Sequence, residues 1–446
     1  MSSAASTQPR SIVVRMLRRF LRQPAPKLEF ERKLSLDLAA LLGDDSVKPR
    51  WLKPLDVSSV LARYGIDPRT TPHCIDATGA ACTDSSALPQ CDAILATFAH
   101  ARLAELDDAL AARGFNRAAD CSAPDAPHGT ALYVRRPLVA MSSLDKKGRF
   151  ANQLFKYLFM RILAKQHGAV LQVSDWAGAH LYGLDEPTPL RALEQYDESR
   201  PRACRRASLR KTAPERMLAG EVEVAGEGVV ADADFQGYFQ FDARHYAPHQ
   251  EFAREVFTLA PQVQARLDRA LAKLREGGSE GGSEAGSEAG SRGGREVIAV
   301  HLRRGDYGRG YFFRTPCAWY EQWLASLCAE RGLDPARVVV YLASEDPERY
   351  RGRFKPFHTA TARDVSDMPP ALDWLLDFEV MRAADRLAIA NSSFSFMAAF
   401  LNPRITRAMR PSIARMGLVE FDPRDGAILD RKRLSRRMHA RLAALD

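Results

Sequence analysis

Long uncharged apolar runs are missing from this chain. No stretch approaches the roughly 18 to 20 residues that a membrane-spanning helix needs. The N-terminus does not have the shape of a signal peptide, because Arg15, Arg18, Arg19 and Arg22 interrupt its one apolar stretch. A cytoplasmic protein is therefore expected. Cysteine is sparse and unpatterned: seven residues, at 74, 82, 91, 121, 204, 317 and 328, with no Cys-x-x-Cys and no zinc-finger spacing. Their odd number and scatter predict reduced thiols. No homeodomain, zinc-finger or RNA-recognition signature is present, so no nucleic-acid partner is expected. No Asp-x-Asp follows a strand candidate, and no metal site is expected.

What is there is an ordinary globular composition, with 46% hydrophobic and 27% charged residues over 446 positions. That length predicts two domains and an appendage. The net charge of +9 suits an anionic ligand or surface without choosing between them. Residues 11–22 set Ile12, Leu17, Phe20 and Leu21 against arginines. Such a segment suits peripheral contact with the inner face of an anionic membrane, or a solvated terminal helix.

The expected organisation is an accessory region over 1–130, a first Rossmann-like domain over 131–276, a linker over 277–295 and a second Rossmann-like domain over 296–446. Residues 27–130 carry helical patterns, notably 92–113, and predict a helical appendage. From 137 onward the pattern alternates. Pro137–Leu144 has strand length, Asn152–Gln166 has helical spacing through Leu154, Phe155, Leu158 and Ile162, and Ala169–Val173 is a second strand. Strand, glycine turn, helix, strand is a βαβ unit. Phe235–Phe241 predicts a further aromatic strand. The 277–295 stretch is a Gly/Ser/Glu repeat that cannot pack a core. Beyond it, strands are predicted at Val297–Leu302, Val338–Ala343 and Leu387–Ala390, and helices at Ala318–Arg331, Trp374–Ala384 and from about Ser395. Two α/β halves flanking a linker predict a cleft between them.

Three strand-to-helix junctions carry polar chemistry. His301-Leu302-Arg303-Arg304-Gly305-Asp306 ends a buried strand, where α/β domains place ligand residues. Two guanidinium forks there suit bidentate phosphate contact, and equally suit surface ion pairing with Asp306. Gly305 permits a sharp turn. Asn391-Ser392-Ser393-Phe394-Ser395 offers hydroxyls and free N–H groups at a helix start, either as an anion cradle or as simple N-capping. Gly148-Arg149-Phe150-Ala151-Asn152-Gln153 opens the first βα turn, with Asn152 and Gln153 able to reach a ligand. Asp145, Asp175 and Asp306 are candidates for a general base.

The segments GRFANQLFKYLF, FQGYFQFDARHY, VHLRRGDY, YLASED and DFEVMRAADRLAIANSSFSFMAAFLN occur in the order found in the α-1,2-fucosyltransferase family, glycosyltransferase family 11. The chain resembles that family over roughly residues 137–405. Its His-x-Arg-Arg-x-Asp core is also similar to that of the α-1,6- and protein O-fucosyltransferases. The resemblance implies a GT-B fold of two Rossmann-like domains, a GDP-fucose donor, a glycan acceptor, inversion at the anomeric carbon, and no metal or other cofactor. It implies that Arg303 holds the β-phosphate with Arg304 assisting, and that His301 and Asp306 line or brace the donor pocket. It further implies that Ser392, Ser393 and Ser395 complete the diphosphate cradle with Asn391, and that Gly148, Asn152 and Gln153 face it. Asp346 would recognise the nucleotide or be structural. The chain departs from the family at Ala151, Arg386, Phe396 and Met397, which bears on the choice of acceptor and sugar more than on the diphosphate.

Overall fold

A computed structural model of the chain describes residues 55–78, 91–121, 127–221, 232–276 and 294–446. The basic segment 11–22 and nearly all of the Gly/Ser/Glu repeat lie outside the described residues.

Three α/β sheets follow one another along the chain. The first has the order β1-β2-β4-β3, from β1 (His73–Ala77), β2 (Ala93–Ala99), β3 (Asn116–Cys121) and β4 (His128–Val134). The β1–β2 pair is parallel and the other two pairs are antiparallel. This corrects the expected helical appendage. Residues 92–113 divide into strand β2 and a helix over Leu103–Ala111, because Ala93–Ala99 alternates buried and less buried positions as a strand does.

The second sheet is wholly parallel, in the order β6-β5-β8-β7: β5 (Leu138–Met141), β6 (Val170–Val173), β7 (Glu194–Asp197) and β8 (Ala233–Gln236). The predicted Phe235–Phe241 strand ends early. Asp234 is held across the sheet by Ser142, and after Gln236 the chain turns through Gly237 and a positive φ at Phe239. Phe235, Phe239 and Phe241 instead pack around Phe159, with Phe239 stacked on it at 4.0 Å between centroids.

The third sheet has the order β11-β10-β9-β12-β13-β14, from β9 (Glu296–Leu302), β10 (Val338–Ser344), β11 (His358–Ala360), β12 (Arg386–Ala388), β13 (Ala408–Ser412) and β14 (Gly417–Phe421). It is parallel except for the β13–β14 hairpin at its edge. The uninterrupted Val-rich runs of β9 and β10 are buried along almost their whole length, as parallel strands covered on both faces must be. The helix between them, Cys317–Arg331, stops at Gly332, whose φ of 62° is the left-handed C-terminal stop that glycine adopts without strain.

One helix joins the last two sheets. Phe150–Gln166 buries 13 of its 17 residues, so it is apolar on all sides rather than along one stripe. One side covers the second sheet. Another meets the Ser393–Leu401 helix of the third sheet. A single hydrophobic core therefore runs from Val139 through Phe159 and Phe257 to Phe378 and Phe400.

Candidate functional site

In both parallel sheets the strand order reverses beside the first strand. In the second sheet β5 leads to β6 on one side and β8 lies on the other. In the third, β9 leads to β10 and β12 lies opposite. Such a reversal splays the loops at the strands' carboxyl ends and opens a crevice. The three motif segments come from these two switch points. His301–Asp306 follows β9, Asn391–Ser395 follows β12, and Gly148–Gln153 follows β5.

Side chains from both sheets meet there. Ser393 Oγ lies 3.0 Å from Asn152 Oδ1, which also accepts from Gln240 Nε2 at 2.6 Å. Arg303 Nη2 donates to Asp306 Oδ1 at 2.8 Å, and its Nη1 to Glu345. From the opposite sheet Arg149 Nη2 donates to Asp306 Oδ2 at 3.2 Å. Two guanidinium groups thus converge on one carboxylate, with the Tyr307 ring 5.4 Å from the Arg303 guanidinium carbon. Burial raises the Tyr307 phenol to about 12, so it stays protonated, and its hydroxyl donates to Asn391 O at 2.9 Å.

The Gly148 turn explains itself here. Its φ is +85°, and a Cβ on it would lie 2.5 Å from Asn152 Cβ and 3.0 Å from Tyr238. The turn is also held from below. The ammonium of Lys156, almost fully buried, donates to the carbonyls of Ser143, Leu144 and Lys147 at 2.9, 2.6 and 3.0 Å. Gln153 is buried in the first turn of the same helix.

Several of the expected site residues make hydrogen bonds within the protein. Arg304, expected beside Arg303 on a phosphate, is buried. It donates to Thr315 O and the Asp446 carboxylate at 2.8 and 2.9 Å, over the Tyr350 ring. Asn391 was expected in an anion cradle, yet its amide is spent on the backbone. It donates to Tyr311 O and Asp430 O and accepts from Asp430 N, at 2.8 to 3.0 Å. Ser392 caps the helix through Phe394 N, and Ser395 is fully buried with its hydroxyl on Ser392 O. Of the three serines only Ser393 faces the facing sheet. Asp346 is exposed, and its neighbour Glu345 reaches Arg303 instead. Asp145 is bonded to Ser174, and Asp175 to Trp176 N, in loops of the second sheet. Asp306, the third candidate, lies between Arg303 and Arg149.

His301 belongs to β9. It is buried against Phe394, with no partner on Nδ1, and burial lowers its pKa to about 4, opposed by the Glu345 carboxylate and helped by the Arg304 charge. Arg149, Gln240 and Glu345 were missed by sequence reasoning. Arg149 and Glu345 each adjoin a singled-out residue, and only the fold shows which neighbour points inward. The departures at Phe396 and Met397 are in the core, and Arg386 pairs with Glu296 on β9, so none touches this site.

No family model matches the sequence. No match was found among curated proteins. Solved structures give weak likenesses. NodZ α-1,6-fucosyltransferase soaked with GDP-fucose aligns at 16% identity, over 64% of this chain and 99% of its own, with a TM-score of 0.39. Fucosyltransferase NodZ from Bradyrhizobium aligns at 14%, over 65% and 99%, with a TM-score of 0.38. A mutant of Arabidopsis thaliana FUT1 in complex with GDP aligns at 11%, over 66% and 74%, with a TM-score of 0.39. Scores of this size do not establish a shared fold, so function has to be argued from the residues. Among the described residues no helix is long and apolar enough to cross a membrane.

Proposed function

We propose that this chain is a glycosyltransferase that transfers fucose from GDP-fucose to a glycan hydroxyl, with inversion and in an α-1,2 linkage. The observation that carries the reading is the convergence of Arg303 and Arg149 on Asp306 between two switch points, with Ser393 and Asn152 beside them. The ordered motifs supply the sugar and the nucleotide. A diphosphate presents the same pair of oxygens to a guanidinium fork as a carboxylate does. On donor binding it takes over Arg303 from Glu345 and draws Arg149 with it.

In the reaction the acceptor oxygen bonds to the anomeric carbon as the bond from that carbon to the β-phosphate oxygen breaks. The electron pair leaves on GDP, where the two guanidinium groups meet the growing charge. The acceptor proton passes to the Asp306 carboxylate, freed from its arginines by the donor. The guanidinium groups do what a divalent cation does in other transferases, so the reaction proceeds without metal. The protein works in the cytoplasm, at the membrane's inner face if residues 11–22 bind there.

A panel of GDP-sugars, followed by GDP release with and without a chelator, tests this. Turnover of GDP-fucose that is indifferent to chelator is expected, with an α-1,2 product. Neither GDP binding nor turnover by the intact chain would sink the reading. Turnover of another GDP-sugar alone would replace the donor, and GDP binding without turnover across many acceptors would make this a binding protein.

A further inference from the structure

A groove of about 600 Å³ runs between the β13–β14 edge and the turn after β8. That is within the range of small-ligand sites, roughly 300 to 1,000 Å³. Its polar walls are Gln240 and Asp242 on one side and Arg410, Ser412, Asp430 and Arg431 on the other. Phe241 and Leu429 supply apolar surface.

The groove adjoins the site above. β13 runs parallel to β12, with Ile389 N donating to Met409 O at 2.8 Å, so Arg410–Ser412 rise beside Ile389–Asn391 at the same end of the sheet. Asp430 is tied to Asn391 by its backbone, and Gln240 bonds to Asn152 and accepts from Arg431 Nη2 through its carbonyl at 3.1 Å. A ligand in the groove therefore meets Gln240, whose side chain bonds to Asn152 beside Ser393.

The charges in it are unevenly committed. The Asp242 carboxylate accepts from Arg244 and from Gly426 N, and pairs with the Arg244 guanidinium at 2.9 Å. Asp430 Oδ1 accepts from Lys432 N. Among the described residues the Arg410 side chain makes one hydrogen bond, to Ala427 O at 2.9 Å, and it lies over the Phe421 ring at 5.1 Å. Among the described residues no carboxylate is within ion-pair distance of it, and burial lowers its pKa, with Asp430 the only nearby counter-charge. A half-buried guanidinium with free N–H groups and no carboxylate within ion-pair distance is a receptor for an anion.

We propose that this groove is the acceptor subsite and that it selects an anionic saccharide, whose acidic group pairs with Arg410 and whose adjoining ring carries the reacting hydroxyl toward Asn152 and Ser393. The inference rests on the donor reading above.

Calorimetric titration of the intact chain, saturated with GDP, tests it with three probes: a neutral trisaccharide, its uronic-acid counterpart, and a sugar phosphate. One or both acidic probes should bind about tenfold or more tighter than the neutral one, and which of them does so identifies the acid as carboxylate or phosphate. Arg410→Gln should erase that preference while GDP affinity is unchanged, and Arg410→Lys should keep part of it. Should Arg410→Gln fail to fold, the wild-type preference must still collapse in high salt. Equal binding of neutral and acidic probes, or a preference that survives Arg410→Gln, overturns the inference and leaves the donor site standing. Absence of GDP binding by the wild type overturns both.

Discussion

Arg303 directs its two terminal nitrogens to Asp306 and Glu345, so on the proposed reading its value to a diphosphate depends on geometry as much as charge. A lysine at 303 would keep the charge and lose the planar fork that spans two oxygens. Arg303→Lys should therefore lower kcat for GDP-fucose by roughly 100-fold or more, in line with the loss of one transition-state donor. A turnover assay at saturating donor reads this directly, and near wild-type kcat would remove Arg303 from the chemistry. His301, one residue before Leu302, acts differently. Its imidazole is neutral in the folded chain, with a pKa near 4 against an ordinary 6.5. The unfolded chain binds the extra proton between those values, so folding stability falls as pH drops from about 6.5 toward 4 and this contribution levels off below. Urea unfolding at pH 7 and pH 4.5 should show a smaller loss for His301→Gln than for wild type, and equal losses would mean that the imidazole is not held neutral.

At the scale of elements, the turn between β5 and its helix is the best case of a site built from below. Gly148 lets the chain pass Asn152 and Tyr238, and Lys156 gathers three carbonyls of the turn under one ammonium. Lys156→Met fills the same space and leaves those carbonyls without their donor, at a cost of about 1 to 3 kcal/mol for the buried polar groups. Thermal unfolding should show that loss, and on the proposed reading KM for the donor should rise because Asn152 lies in the first turn of the helix that follows; a change in neither would make the lysine incidental. Little of this could be read in advance. Lys156 carries the usual signature of a solvated helix position, and only the burial of nearly the whole helix turns it inward. The strands that were legible, β5, β6, β9, β10 and β12, are mostly apolar, which is how a doubly covered parallel strand must look. β2 was misread because its apolar residues run straight into those of the Leu103–Ala111 helix, so one helical period fitted both. The motif segments do lie at strand-to-helix junctions, but the partner of each side chain could not be read from the sequence. A polar residue before a helix serves equally as cap, latch or ligand. The sequence pattern is the same for Asn391, which latches Asp430, and Ser393, which faces Asn152. What separated Glu345 from Asp346 was the direction of the chain leaving β10, a matter of one residue.

For the whole molecule, the continuity of the core sets how the parts move. The second and third sheets share one buried cluster, and polar bonds reinforce the join. Arg254, in the Gln250–Val256 helix, donates to Leu401 O and Asn402 O at 3.2 and 2.9 Å, satisfying carbonyls at the end of the Ser393–Leu401 helix. Gln250 reaches Phe400 O, and in the other direction Arg382 donates to Phe257 O at 2.6 Å. The last carbonyls of a helix have no partners within it, so donors from the neighbouring layer link the stability of one to that of the other. Two layers joined only by a linker would melt separately. These should melt together, in a single calorimetric transition whose van't Hoff and calorimetric enthalpies agree for the 137–446 portion. Arg254→Ala removes two of the bonds and leaves buried carbonyls unpaired, a loss of about 1 to 3 kcal/mol. The one transition should move to lower temperature without splitting, because the apolar contacts around Phe159, Phe257 and Phe378 remain. Two resolved transitions in the wild type would show that the layers are independent, and that the Arg303–Asp306–Arg149 arrangement can open as a hinge instead of being assembled by folding.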